Sequence, residues 1–358
     1  MKALIVRHAQ GGYPVLIGSR LESRLAAWLE RQQYGRRVVL ISHPEILAQH
    51  GQGLLDYLEG SGFEVAVIKI PAGEEYKSLA EAGRLYHELV ENLVERQTAV
   101  LAMGGGVIGD LAGFVAATFK RGLPLVHLPT TLLAQVDSSL GGKTAVNVGT
   151  IKNQVGVFYP PRAVFSDIEY LKTLPASEIE NGLAEIIKSA VIRDPRLFVL
   201  LEHRMEGIKA MEGRVVEEAV FLTAAVKAWI VSRDEYETGI RQVLNLGHTV
   251  GHAIEAVTDF RISHGQAVAI GTVAAGKIAH RLQLFSGREL ERMRSLIAYA
   301  GLPQVLPEVD LADVLEAMKH DKKITRGRLR FVLPVRIGQV VLRDVEPALV
   351  AEVLAEPW

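Results

Sequence analysis

The sequence predicts an α/β N-terminal domain with a mostly parallel, Rossmann-like sheet, joined to a mainly α-helical C-terminal domain. Three observations predict it. Short apolar runs alternate with amphipathic stretches up to about residue 165, helical patterns dominate after it, and a glycine cluster at 104–109 stands where a strand hands over to a helix. The change of pattern divides the chain into residues 1–165 and 166–358.

In the first half, VLIG (15–18), RRVVLIS (36–42), FEVAVIKI (63–70), TAVLAMG (98–104) and LVHLP (125–129) are nearly continuous apolar runs. Strands covered on both faces need that composition. Between them, 20–32, 44–59 and 78–96 carry helical spacing, with Gly60 as a stop for the second. In the second half, 175–190, 194–211, 213–237, 241–257, 264–282, 287–300 and 309–319 read as helices broken by Pro, Gly or Asp clusters. RLRFVLP and QVVLRDV flank Arg336-Ile337-Gly338 and predict a late β-hairpin.

Composition narrows the function classes. Hydrophobic residues make up 49% and charged residues 23%, enough apolar surface for self-contained folding. Lys plus Arg number 40 against 41 Asp plus Glu, so no global field attracts nucleic acid or an anionic membrane, and any anion site must be local. The chain has no Cys, which excludes disulfides, thiolate metal sites and a cysteine nucleophile. A bound metal therefore needs His, Asp or Glu. The start, MKALIVRHAQ, lacks the long apolar stretch of a secretion signal. Val100–Ala117 is apolar but holds five glycines and Asp110, which suits a strand, turn and buried helix better than a membrane span. The expectation is a soluble, cytoplasmic protein.

Gly104, Gly105, Gly106 and Gly109 follow a strand and open a helix, the context in which such glycines bring backbone N–H groups to a pyrophosphate. Tight packing also produces glycine turns, and the acidic residue of the standard dinucleotide motif is missing about 20 residues on. RQVLNLGHTVGHAIE (241–255), read as one helix at about 100° per residue, puts Arg241, Asn245, His248 and His252 on one face. Two His four apart either share a metal or substrate or simply pack against each other. Thr249 stands where a zinc protease of this spacing needs its general-base Glu, which argues against a metalloprotease.

His264, in SHGQAVAIG, starts the next helix and is either a third imidazole for the same region or a simple helix-start residue. Glu185 in ENGLAEIIKSA is flanked by Leu183, Ala184, Ile186 and Ile187, with Lys188 one turn on. A buried carboxylate requires a cation, and Glu with two His is a catalytic metal-site composition, most often for zinc. LPTTLLAQVDSSLGGKTAVNVGTIKNQVG (128–156) interleaves Thr130, Thr131, Asp137, Ser138, Lys143, Lys152 and Asn153 with four glycines, as a loop gripping hydroxyls and anions would. A solvated loop explains the glycines but not the apolar residues between the polar ones.

GGGVIGDLAGFVAATFKRG, LPTTLLAQVDSSLGGKTAVN, NGLAEIIKSA, RQVLNLGHTVGHA and SHGQAVAIG, in this order, resemble the 3-dehydroquinate synthase family of sugar-phosphate cyclases over about residues 13–345. The resemblance implies Glu185, His248 and His264 as ligands of zinc, or cobalt in its place. It implies NAD between the domains, on Glu74, Lys77, Gly105, Gly106, Val107, Asp110, Thr130, Thr131 and Ser138, with Thr173, Leu174 and Glu178 near its other end. Asp137, Lys143 and Lys152 adjoin both cofactor and substrate. The implied substrate is 3-deoxy-D-arabino-heptulosonate 7-phosphate, the reaction a phosphate-eliminating ring closure in the shikimate pathway.

By the same resemblance, its phosphate meets Asn153, Lys188, Asn245, His252 and Lys322 or Lys323. Its carboxylate meets Lys227 and Arg241, and Glu237 lines the hydroxyl side with Asp137, Lys143 and Lys152. Arg121 resembles a residue lent by a neighbouring subunit, which implies a homodimer. One departure is His43, where family members often carry Asp or Asn near the adenosine ribose. The rival readings are a sibling such as 2-deoxy-scyllo-inosose synthase, whose substrate lacks the carboxylate that Lys227 and Arg241 would pair, and an iron-type polyol dehydrogenase, which releases NADH.

Overall fold

Strands made wholly of apolar residues are stable only where helices cover both faces, and this requirement organises the first part of the chain. The computed structural model describes residues 1–149, 151–321 and 329–356. They form two units, Met1–Pro175 with Val216–Glu235, and Ala176–Val215 with Tyr236–Trp358.

The first unit contains β1 (Lys2–His8), β2 (Gly11–Gly18), β3 (Arg37–Ser42), β4 (Glu64–Lys69), β5 (Ala99–Gly104), β6 (Leu125–Pro129), β7 (Lys143–Val148), β8 (Ile151–Phe158) and β9 (Ala163–Asp167). Seven of these make one sheet in the order β1-β2-β9-β6-β5-β3-β4. Every pairing in it is parallel except β1 with β2. Val39, Ile41, Val100 and Ala102 face one buried cluster, while Val38, Leu40, Leu101 and Met103 face the other. Both faces are therefore dry, as the unbroken apolar runs predict.

The second unit is mainly helical, with β10 (Leu329–Arg336) and β11 (Gln339–Val345) as an antiparallel hairpin. Its helices Ala176–Ile192, His248–Val257 and His264–Arg281 carry the residues of interest, and the last is almost wholly buried between Gly265 and Ala279.

The structure departs from the sequence expectation in several places. The division falls after Pro175 rather than after 165, and helix Gly213–Val231 is shared, with Val216 onward in the first unit. Long-range ion pairs link it to that unit: the Met1 amino group with Glu217, Lys2 with Glu218, and Lys227 with Asp137. Residues 143–158, expected as loop, form the hairpin β7–β8. The 213–237 helix ends at Val231.

The expected helix 241–257 is broken. Ile240–Asn245 is a 3₁₀ turn, Gly247 adopts φ +80°, and the α-helix begins at His248. A Cβ at Gly247 would lie 2.6 Å from the Val268 carbonyl oxygen, and one at Gly271 would lie 1.9 Å from the Gly247 oxygen. Only glycine permits that left-handed turn and that approach. Arg241 and Asn245 therefore do not share a helical face with His248 and His252.

Candidate active site

In the first unit the chain leaves β3 for β4 on one side and β5 for β6 on the other, so the strand order reverses between β3 and β5. Crevices at such reversals, outside the carboxyl ends of parallel strands, are where open α/β sheets bind ligands. The Ser42 hydroxyl donates to the Met103 carbonyl at 2.7 Å, tying the two strand ends together. Gly105 is the N-cap of helix Gly106–Thr118, and no side chain caps it. That end presents backbone N–H groups and the positive pole of the helix.

Around this turn stand several of the residues singled out above. A Cβ on Gly105 would lie 3.2 Å from Thr131, and one on Gly106 would lie 3.4 Å from Ser138. The Thr130 N–H donates to the Gly104 carbonyl. Val107 is half-buried in the first turn of the helix. Lys77, 5% exposed, donates to Asp110 at 2.6 Å and to Asn153 at 2.5 Å. Asn147 donates to Glu74 at 2.8 Å and accepts from the Asn153 N–H at 2.9 Å, which extends the network into the hairpin. Burial raises the Asp110 pKa, and the Lys77 charge opposes that rise without cancelling it.

Lys227 donates to the Asp137 carboxylate at 2.6 Å and to its carbonyl at 2.7 Å. Lys143 and Lys152 are exposed on the β7–β8 hairpin. Thr173 shares a 2.7 Å hydrogen bond with His50, and Leu174 follows it half-buried. His43 places Nδ1 2.8 Å from the Ile70 carbonyl. Arg121 is exposed, with φ +63° between Lys120 at +47° and Gly122 at +119°.

In the second unit, Glu185, His248 and His264 offer ligand atoms all within 4.8 Å of one another. Glu185 is 1% exposed. Lys188, on the next turn, pairs with its Oε2, while His264 Nε2 and His248 Nε2 stand 3.4 and 3.8 Å from its Oε1. None of the three completes a hydrogen bond of normal geometry to either carboxylate oxygen. A buried carboxylate in that state is costly, and a divalent ion among the three groups is a partner that satisfies it. The donor set of one carboxylate and two imidazoles, with no thiolate, fits zinc or a similar ion.

Electrostatics agree with ligation. Burial, then the charges of Lys188, His264 and His252, hold His248 neutral by depressing its pKa. Burial would raise the Glu185 pKa, but Lys188 and His264 outweigh it and keep the carboxylate ionised. Burial lowers the His264 pKa, yet Glu185 and Glu255 overcome it and lift it to about 10. A metal binding there displaces a proton from His264.

His252 stacks edge-on with His248 at 5.1 Å between centroids. Asn245 donates to Glu237 at 2.9 Å, and Arg241 is buried at 2% exposure. Glu178 accepts a long hydrogen bond from Asn181. Lys322 and Lys323 lie outside the described residues.

Sequence reasoning missed three residues that complete these clusters. Asn147 links Glu74 to the hairpin, Asn181 accepts from the Gly265 N–H beside His264 at 3.0 Å, and Glu255 faces His264 Nδ1 at 3.3 Å. Their spacing was a usable signal for the last two. Asn181 is four residues before Glu185 and Glu255 seven after His248, so each shares a helical face with a triad residue.

With this geometry in place, the comparisons with known proteins become informative. Residues 67–181 match the family model "3-dehydroquinate synthase N-terminal" and residues 182–324 match "3-dehydroquinate synthase C-terminal". A 3-dehydroquinate synthase of Dehalococcoides mccartyi strain CBDB1 is 47% identical over 344 residues, covering 96% of each chain. One from Desulforamulus reducens is 43% identical over 347 residues, covering 96% of this chain and 97% of its own. Among solved structures, 2-deoxy-scyllo-inosose synthase complexed with carbaglucose-6-phosphate, NAD+ and Co2+ superposes with a TM-score of 0.90 at 27% identity over 99% of each chain. The 2-epi-5-epi-valiolone synthase of Streptomyces hygroscopicus subsp. jinggangensis 5008, with NAD+ and Zn2+ bound, does so with a TM-score of 0.87 at 28% identity over 96% of this chain and 95% of its own. A glycerol dehydrogenase from Schizosaccharomyces pombe, 16% identical with a TM-score of 0.67, shares the fold alone. Two adjoining domain models and full-length relatives at this identity establish that the chain belongs to the 3-dehydroquinate synthase family.

Proposed function

We propose that this chain is itself a 3-dehydroquinate synthase, converting 3-deoxy-D-arabino-heptulosonate 7-phosphate to 3-dehydroquinate and phosphate with NAD and a divalent metal. The observation that carries the reading is the Glu185–His248–His264 donor set, built on a buried carboxylate, in a chain 47% identical to a 3-dehydroquinate synthase. When bound, a metal held by Glu185, His248 and His264 would supply polarisation of a substrate oxygen, and NAD would supply a reversible hydride acceptor that is not consumed.

The first unit supplies the cofactor groups. Gly105, Gly106 and Val107 offer helix-end N–H groups for the pyrophosphate, Lys77 and Asp110 form a preset charge pair beside them, and Glu74, Thr130, Thr131, Ser138, Thr173 and Leu174 complete the set. Asp137, Lys143, Lys152, Asn153 and Lys227 hold hydroxyl and anionic groups. The second unit supplies Glu185, His248 and His264 for the metal. Its Lys188, Asn245 and His252 hold the phosphate, Arg241 the carboxylate, Glu237 a hydroxyl and Glu178 the far end of NAD. A substrate with a carboxylate and a phosphate explains why cations gather locally in a protein whose net charge is −1. Holding both ends fixes the ring orientation for elimination and closure.

We assign the active form as a cytoplasmic homodimer in which Arg121 serves the neighbouring site. Lys120 and the exposed Arg121 both hold positive φ, a strain that a partner contact would offset. Among the described residues no helix is long and apolar enough to cross a membrane.

The test is phosphate release from the heptulosonate phosphate, with and without NAD and chelator. Release that needs both metal and NAD, without net NADH, is expected. Steady NADH formation from glycerol would favour a polyol dehydrogenase, and release from a hexose phosphate lacking the carboxylate would favour a sibling cyclase.

A further inference from the structure

The two imidazoles of the triad are held by different acceptors. His248 turns Nδ1 toward the Leu246 carbonyl at 3.1 Å, which leaves Nε2 facing Glu185. His264 also faces Glu185 through Nε2, at 3.4 Å, but its Nδ1 lies 3.3 Å from a carboxylate, Glu255 Oε1. Glu255 is 8% exposed and sits on the same helix as His248, two turns on. Seven residues at about 100° each return to nearly the same face, so one helix stripe carries a triad imidazole and the carboxylate that abuts the other.

We propose that Glu255 is a positioning residue for the metal site: it fixes the tautomer and ring orientation of His264 so that Nε2 carries the metal. The proposal rests on the triad reading above and adds a fourth residue to it. Neutral imidazole has one N–H. With that proton on Nδ1 and donated to Glu255, the Nε2 lone pair points at the metal position, and the negative charge behind the ring strengthens it as a donor. The Leu246 carbonyl does the same for His248 without a charge. His264 needs the stronger support because it is the more open of the two, with a side chain 33% exposed against 13% for His248.

The test uses the metal-stripped full chain titrated with Co(II) against a competing chelator, reading the dissociation constant and the visible absorption of the bound ion. Glu255→Gln and Glu255→Ala are compared with wild type and His248→Ala, and thermal unfolding of each metal-free protein checks the fold. The expected result is a roughly 10- to 100-fold weaker affinity for Glu255→Gln, with a changed cobalt spectrum at an unchanged metal-free Tm. Glu255→Ala should bind more weakly than Glu255→Gln, because the amide still offers an acceptor oxygen. Wild-type affinity and spectrum in Glu255→Gln, while His248→Ala loses the ion, would overturn the proposal and leave the triad standing. Retention of the ion by His248→Ala would overturn the triad and this proposal together. Should Glu255→Ala fail to fold, the isosteric Glu255→Gln decides alone.

Discussion

Two regions of the molecule bury charge, and they do so differently. In the first unit each buried ammonium is already matched: Lys77 donates to Asp110 and Asn153, and Lys227 makes two bonds to Asp137. In the second unit Glu185 sits deeper, with Lys188 against one carboxylate oxygen and two imidazoles 3.4 and 3.8 Å from the other. The first arrangement is a network already closed by its own side chains. The second is an open donor set that a cation would finish. A buried polar cluster thus indicates a ligand by what it leaves unmatched, not by how many charges it contains.

Removing one donor from the open set should have the largest effect. His248→Ala is expected to lower kcat by about 1,000-fold or more, because metal chemistry has no substitute among the side chains; steady-state phosphate release with saturating metal measures it. Breaking the finished network should cost stability first. Lys77→Met leaves Asp110 inside without its counter-charge, and a loss of about 2–3 kcal/mol in urea unfolding is expected, discounted because Asp110 keeps 20% side-chain exposure.

A smaller effect sharpens the contrast through pH. His127 in β6 is 5% exposed, and burial lowers its pKa to about 4. Its folded pKa lies below the unfolded value of about 6.5, so the unfolded chain binds the proton first, and stability is lost as pH falls from 6.5 toward 4. Between pH 7 and 5 that loss should be about 2 kcal/mol. His127→Gln should flatten the pH dependence of the urea midpoint to that extent; an unchanged slope would assign the pH response to other groups.

The fold was largely legible because its signals are local. Val38–Ile41 and Val100–Met103 are continuous apolar runs, and strands buried on both faces cannot be written otherwise. The hairpin β10–β11 announced itself through Gly338, which turns at φ +88°. What escaped was set by distance or by exposure. Every residue of β8 from Ile151 to Val157 is exposed, so no alternation marks it as a strand. Helix Gly213–Val231 reads like its helical neighbours, and contacts distant in sequence, among them those with Met1, Lys2 and Asp137, place most of it in the first unit.

The site was legible in part for the same reason. His248 and His264 sit in distinctive motifs, and the apolar neighbours of Glu185 gave away its burial. The break at Gly247 did not show, because a glycine inside a helical pattern is often tolerated; here its contact with Gly271, 24 residues on, decides the backbone. Nothing local marks Glu255, and the approach of His264, nine residues on, gives it a role.

Elemental analysis after equilibrium dialysis against zinc measures the central claim most directly. Metal-stripped wild-type protein should retain about one zinc per chain, and Glu185→Ala, His248→Ala and His264→Ala should each retain far less. Wild-type protein holding no more zinc than the three variants would contradict the account.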